Sequence, residues 1–380
     1  MTLVLTEDQE LLAKTALDFG RAHSPVSRIR ALRDAQDSVG FSRDLWQEMA
    51  KLGWTGILIP EEYGGASLGL ADLAVVLEGL GRTLAPEPFL STVLLGGQLI
   101  AQAGSSEQKQ TWLPGIGSGE KILTVSYQEA RSRYDLHRVT TQASAEGDDW
   151  RLSGEKIQVL DGQNADAFIV SARTAGGQSD QDGITLFLIT PDTPGLTIRP
   201  QTLVDSRAAA LVKLDGVKVG AASIVGTPGQ GLPTLSHIVD LATVGLCAEM
   251  LGGMSQIFDD TLGYLKTREQ FGVAIGSFQA LKHRAAKVFM EIELCRSSVM
   301  AAANAADDGD ADLALLVSLA KARCSDAFTL ATNEGVQMHA GIGMTDEHDA
   351  GFYLKRARAT EMTFGDAAWH RDRWARLRGY

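Results

Sequence analysis

Two short motifs and a few carboxylates hold most of the chemistry this 380-residue chain could perform. In Arg268-Glu-Gln-Phe-Gly-Val-Ala-Ile-Gly-Ser-Phe-Gln279 a guanidinium precedes a glycine-rich turn. Its planar donor fork suits a phosphate, although taken alone Arg268 reads more readily as a C-terminal helix cap. In Gln337-Met-His-Ala-Gly341 a glycine lets backbone approach a ligand closely. Asp240 and Asp366 are carboxylates that could take up a proton if they reached one, and Asp240 could equally cap a helix. His370 is a third candidate for a base, but it stands among arginines and reads more readily as a surface histidine. Cys247, Cys295 and Cys324 are distant in sequence and odd in number, with neither metal-ligand spacing nor a disulfide framework.

The elements that must position these residues fall into three sections. With 44% apolar residues the chain can bury a large core, and nothing in it is low-complexity. Residues 1–120 read as an N-terminal helical domain. Thr6 with the acids after it opens a first helix, and Leu70, Leu73, Val76, Leu77 and Leu80 form an apolar stripe ending at Gly81. Over residues 121–226 short β-branched runs divided by Gly, Asp or Pro predict about eight antiparallel strands, a barrel or sandwich. Trp150–Ser153 and Ile157–Leu160 read as two of them, and the glycine-rich stretch from Gly176 as a loose hairpin tip. Residues 227–380 return to long helices and predict a four-helix bundle. The class is α+β and multidomain.

A net charge of −12 argues against nucleic acid. The N-terminal segment lacks the cationic and apolar regions of a signal peptide, and no uncharged apolar run is long enough to span a membrane. A reducing, cytoplasmic compartment is the expectation.

Several motifs, in order over nearly the whole chain, resemble the acyl-CoA dehydrogenase family. They are Ile59-Pro-Glu-Glu-Tyr-Gly-Gly, Glu78-Gly-Leu-Gly-Arg, Gly147-Asp, Leu152-Ser-Gly-Glu-Lys156, Gly162, Ala165-Asp166 and the two motifs above, with His283 and Glu347. The resemblance implies a flavoprotein that desaturates an acyl-CoA thioester, with FAD as cofactor and an electron-transfer flavoprotein as acceptor. It implies that Arg268 pairs with the FAD pyrophosphate, that Phe271 and Gln279 contact the adenosine half, and that Gln337 and Gly341 approach the phosphates. In the family these residues reach the flavin held by a neighbouring subunit.

The flavin-ring end departs from the pattern. Where members read Thr-Glu-x-x-x-Gly-Ser-Asp, this chain reads Gln128-Glu-Ala-Arg-Ser-Arg-Tyr-Asp135. Gln128 replaces the flavin-contacting hydroxyl, and Arg133-Tyr134 replaces two small residues. Downstream, Gln158 stands for a tryptophan and Leu160 for a hydroxyl residue in Lys156-Ile-Gln-Val-Leu-Asp-Gly162. The family's catalytic Glu is Phe364 here, and the alternative position near the start of the long helix is Ala242, beside Thr243 in place of an Arg. Asp240 and Asp366 each lie two residues from a vacated site, which on a helix is about 200° away.

The expectation is a half-enzyme: one subunit of an α2β2 heterotetramer, active with a second family subunit that keeps the base. The link to steroid-degrading enzymes rests on analogy. The alternatives are a self-sufficient homotetramer with a displaced base at Asp240 or Asp366, a scaffold that has lost FAD, or an oxidase or monooxygenase of the same fold. The sequence leaves the acyl group open.

Overall fold

Thr6 accepts the Gln9 amide while the Gln9 side chain returns to the Thr6 amide, a capping box that starts the first helix. The computed structural model describes residues 4–380; Met1–Leu3, the opening of the segment read for a signal peptide, lie outside the described residues. The helices that follow are α1 (Glu7–His23), α2 (Val26–Asp34), α3 (Arg43–Lys51) and α4 (Leu70–Gly81). A π-helical segment, Phe89–Gly97, leads into α5 (Gln98–Ala103) and α6 (Ser106–Gly117). The strands are β1 (Leu123–Ser126), β2 (Gln142–Glu146), β3 (Asp149–Leu160), β4 (Ala167–Arg173), β5 (Ile184–Ile189), β6 (Leu196–Thr202), β7 (Ala208–Gly220) and β8 (Ile224–Val225). Then come α7 (Gly231–Thr267), the short strands β9 (Glu269–Gln270) and β10 (Val273–Ala274), and α8 (Gln279–Asp307). The chain closes with α9 (Leu313–His339), α10 (Ala350–Met362) and α11 (Ala367–Leu377). The order helices, sheet, helices is as the sequence predicts.

Two compact units divide these elements. The sheet unit, Leu32–Gly69 and Pro86–Ala242, contains the eight strands with α3, α5, α6 and the π-helical segment. The strand order is β6-β7-β3-β2-β4-β5-β8, with β1 on β4. Most pairings are antiparallel, but β1–β4 and β2–β4 run parallel, so the sheet is mixed where an antiparallel one was expected. The two strands read at Trp150–Ser153 and Ile157–Leu160 are one, β3. Its pairing with β7 shifts register between Leu152 and Gly154 and again between Lys156 and Val159, bulges that break the periodicity without ending the strand. The tip near Gly176 is gathered by buried Arg173, which donates to the carbonyls of Asp180, Asp182 and His137 at 2.6–3.0 Å.

The helical unit joins α1 and α4 to α8, α9, α10 and α11 and the greater part of α7. The N-terminal helices thus belong to two units, which sequence periodicity does not show. The Glu78-Gly-Leu-Gly-Arg82 motif is a close-packing device here. A Cβ on Gly81 would lie 2.3 Å from the Glu249 carbonyl, and one on Gly252 would lie 2.0 Å from the Glu78 carbonyl, so α4 and α7 touch backbone to backbone. Glu78 pairs with Arg296 at 2.5 Å. The start of α4 is capped from afar: Asp307 accepts the Leu70 and Ala71 amides. α7 is long and apolar enough to cross a membrane by composition, yet its most apolar window is wholly buried, as in a core helix.

Candidate functional site

In the sheet unit the segment after β1 is fixed by a buried ion pair. Glu129, 3% exposed, meets the Lys156 ammonium at 2.7 Å. The carboxylate also accepts the Thr140 and Thr141 amides at 2.7 and 3.0 Å and both their hydroxyls. Burial would push this carboxyl up, but the Lys156 charge and these donors outweigh it and hold the pKa down to about 2. Lys156, fully buried, also donates to Ser171 at 3.1 Å. Burial pulls its pKa down to about 8 against the pull of Glu129. Glu129 is therefore a structural anchor, with every lone pair engaged, rather than a base. Around it, Arg133 is exposed with a left-handed φ of 50° and its guanidinium lies 5.5 Å from the Tyr134 ring centre. Gln158 is also left-handed, φ 51°, and exposed, while Leu160 is half-buried.

Both family positions for a base carry side chains without a carboxylate, and both are buried. Ala242 is 0% exposed on α7. Asp240 is buried in the third turn of α7 and so does not cap that helix. Phe364 is buried at a left-handed φ of 61° in the turn between α10 and α11. That turn is not helical, so the 200° argument fails for Asp366. A different fact accounts for it: the Asp366 carboxylate caps α11, accepting the Trp369 amide at 2.8 Å.

The turn is pinned from below by two residues the sequence hid. Lys321, fully buried on α9, donates to the carbonyls of Gly365 and Glu361 at 2.7 and 3.0 Å and to Ser325 at 3.1 Å. It falls in the stripe Val317, Lys321, Cys324, Phe328, a spacing that marks an inward face. His370, read as a surface histidine, is 1% exposed: Nε2 lies 3.1 Å from the Phe364 carbonyl, which fixes the proton there. Burial, with Lys321 and Arg373 nearby, lowers its pKa to about 3, so it is neutral. The three cysteines, far apart in sequence, converge. All are free and buried, and the Cys324 thiol hydrogen-bonds with those of Cys247 and Cys295.

The five predicted cofactor residues gather at one end of the helical unit. Arg268 follows the last turn of α7, and its carbonyl accepts the Ile275 amide at 2.8 Å, closing the β9–β10 hairpin back on itself. Phe271 and Gly272 form the two-residue tip, both left-handed, as a type I′ turn requires. Phe271 is 91% exposed and its ring lies 6.2 Å from that of Phe278, the residue before Gln279 and α8. Arg284 of α8 pairs with Glu334 of α9 at 2.5 Å. Tyr264 of α7 lies 4.7 Å, ring to ring, from His339 at the end of α9, bringing the Gln337–Gly341 turn beside the hairpin. Arg268, Phe271, Gln279, Gln337 and Gly341 are all exposed, and nothing would meet a Cβ on Gly341 within 4 Å. Among the described residues no acid pairs with Arg268. The set can receive a diphosphate and a flat ring from outside the unit.

Family models of the acyl-CoA dehydrogenase N-terminal, middle and C-terminal domains match residues 6–120, 124–215 and 229–377. A probable acyl-CoA dehydrogenase of Bacillus subtilis, YngJ, is 30% identical over 96% of each chain. Among solved structures, the ChsE4-ChsE5 complex from Mycobacterium tuberculosis is similar at 28% identity, covering 100% of this chain and 99% of that one with a TM-score of 0.90. The Tcur3481-Tcur3483 steroid enzyme is similar at 32% identity over 98% of each chain, TM-score 0.87. Full-length similarity of this kind, on top of the motifs and the fold, places the chain in the acyl-CoA dehydrogenase family, whose cofactor is FAD.

Proposed function

We propose that this chain is the subunit of a heteromeric acyl-CoA dehydrogenase that lends contacts to FAD without supplying a catalytic base. FAD, when bound, takes the hydride that leaves the β carbon of the acyl thioester, and a carboxylate must remove the α proton. The observation that carries the reading is the pair Phe364 and Ala242: both base positions are buried and have no carboxylate. Asp366, the nearest acid in sequence to Phe364, is spent on capping α11.

The two ends of the cofactor fare differently. At the bundle end, Arg268 offers a free fork, Gly341 leaves open backbone, and Phe271 presents a bare ring. These fit a diphosphate and an adenine from a neighbouring chain. At the ring end, no hydroxyl side chain stands at Gln128 or Leu160, and Arg133 with Tyr134 occupies the place of two small residues. These do not fit a flavin ring of the chain's own. Two of the similar structures are named as pairs of different chains, which suits a second family subunit as partner. An acyl-CoA of steroid origin is the substrate that analogy favours, with an electron-transfer flavoprotein as acceptor and the cytoplasm as compartment.

The test is flavin content. The chain expressed alone should purify nearly colourless, and co-expressed with a family member that has an intact Glu it should purify as a yellow complex. One flavin per chain from the chain alone would overturn the reading.

A further inference from the structure

The turn that carries Gln337 and Gly341 is held in a shape its residues resist. α9 ends at His339, and Ala340 follows at φ 54°, ψ −135°. Residues with a Cβ rarely enter this region, and they persist there only where neighbours over-determine the conformation.

The neighbours here are rings. His339, 2% exposed, donates from Nδ1 to the Gly335 carbonyl at 2.7 Å, which fixes its tautomer. Its ring lies between Tyr264 of α7, centroid 4.7 Å away, and His348 in the loop before α10, 4.3 Å away. His348 accepts the Ala350 amide at Nδ1, 3.1 Å, so its own proton sits on Nε2. Nδ1 of His348 must stay unprotonated to accept that amide, so a second proton on His348 breaks the contact. Two imidazoles in contact cannot both be charged without strong repulsion.

Charged groups stand on the elements beside the pair. On α7 stand Asp259, held by Arg82, and Asp260, which accepts the Gln256 amide at 2.8 Å. From α2, Arg30 bonds Asp346 and Asp349, which flank His348 in its loop. Burial, and then the charge on His339, lower the pKa of His348 against the opposing pull of Asp349 and Asp260. Burial, helped by Asp259, raises that of Asp260 against the Gln256 hydrogen bond and the two histidines. A histidine lowered in the folded state adds stability that is present above its unfolded value of 6.5 and lost as pH falls below it.

We propose that His339 and His348 are positioning residues: their ring contact holds the Ala340 turn, and with it Gln337 and Gly341, facing the cofactor, and protonation of His348 releases the turn. The cofactor-facing half of this statement rests on the function proposed above. The positioning half rests on the ring contacts and the strained turn alone.

The assembled complex is examined at pH 7.5 and pH 5.5 by two readouts. Hydrogen exchange over residues 337–349, corrected for the intrinsic rate, reports the turn, and flavin dissociation reports the cofactor. In the wild type, protection should fall about tenfold at pH 5.5 and flavin should leave about tenfold faster. His348→Phe keeps a ring against His339 but removes its titration, so it should hold both readouts at their pH 7.5 values. Exchange that is flat with pH in the wild type, or a His348→Phe profile that follows the wild type, overturns the positioning role. Exchange that changes as expected in a complex holding no flavin at either pH supports the positioning role and sinks the cofactor-facing reading instead.

Discussion

Removing the Glu129 carboxylate is the most telling perturbation of the sheet unit, because the structure fixes what each partner would lose. The fall in the Glu129 pKa from 4.5 to about 2, at about 1.4 kcal/mol per pH unit, corresponds to about 3 kcal/mol of stability. With a lowered folded-state pKa, that stability is present above pH 4.5 and disappears as pH falls towards 2. The fall in the Lys156 pKa from 10.5 to about 8 is a similar cost of burying its charge, so the pair nearly breaks even as a pair. The single substitutions are therefore unequal. Glu129→Gln leaves a fully buried ammonium with Ser171 as its side-chain acceptor and should cost about 3–5 kcal/mol. Lys156→Met leaves the carboxylate with its Thr140 and Thr141 donors and should cost clearly less. Urea denaturation at pH 7 and pH 9 separates the two. Glu129→Gln should regain stability at pH 9, where Lys156 can shed its proton, and Lys156→Met should not. Equal losses from the two variants, or a Glu129→Gln deficit that does not shrink at pH 9, would refute the account of this anchor.

Arg268→Ala should weaken flavin retention in the assembled complex by about one to two decades, with the melting temperature unchanged, since a charged hydrogen bond to phosphate is worth about 1.5–3 kcal/mol. Asp240→Asn and Asp366→Asn should each leave desaturation by the flavin-saturated complex within a few-fold of wild type, because removing a true base lowers the rate by about 10²–10⁴. Asp366→Ala, which unlike Asn also removes the cap on α11, should lower stability by about 1 kcal/mol in a denaturation curve. Gly252→Ala would put a Cβ 2.0 Å from the Glu78 carbonyl, so α4 and α7 must separate. A loss of about 1–3 kcal/mol in a urea midpoint is expected.

Local periodicity made the helices and most strands legible, and it failed where the deciding contact spans the chain. The α4 stripe reads plainly because Leu70, Leu73, Val76, Leu77 and Leu80 repeat at helical spacing and are all buried. The cap on the same helix does not read at all, since Asp307 reaches the Leu70 amide across 237 positions. In the sequence β3 reads as two strands, because the apolar pattern lapses over Gly154-Glu-Lys156. In the fold Lys156 points inward to Glu129, 27 residues away, and the bulges absorb the mismatch. His370 misled for a similar reason: its flanking arginines are on the surface, but the ring turns inward to the Phe364 carbonyl. The expected cofactor residues come one by one from the resemblance. Their common exposure, and the strain at Phe271 and Ala340, come only with the backbone.

That strain bears on whether the chain is a partner in catalysis or an inert scaffold. Phe271 is left-handed and 91% exposed, so its own unit gives almost no burial in return for an unfavourable turn residue. Ala340 lies in a region that costs about 1–3 kcal/mol. The exposed Arg268 pairs with no acid among the described residues. A fold that served only to pack would gain by relaxing each of these, with Asn or Gly at the hairpin tip and Gly after α9. The two family positions for a base show the opposite arrangement. Phe364 and Ala242 are buried, and the turn around Phe364 is tied down by Lys321 and His370. On the function proposed above, loss of the base has left a well-packed site, whereas the cofactor-facing Phe271 sits at a free-energy cost that burial in its own unit does not offset. A ligand or partner arriving from outside supplies the missing return, which is what a subunit reaching towards its neighbour's cofactor would receive.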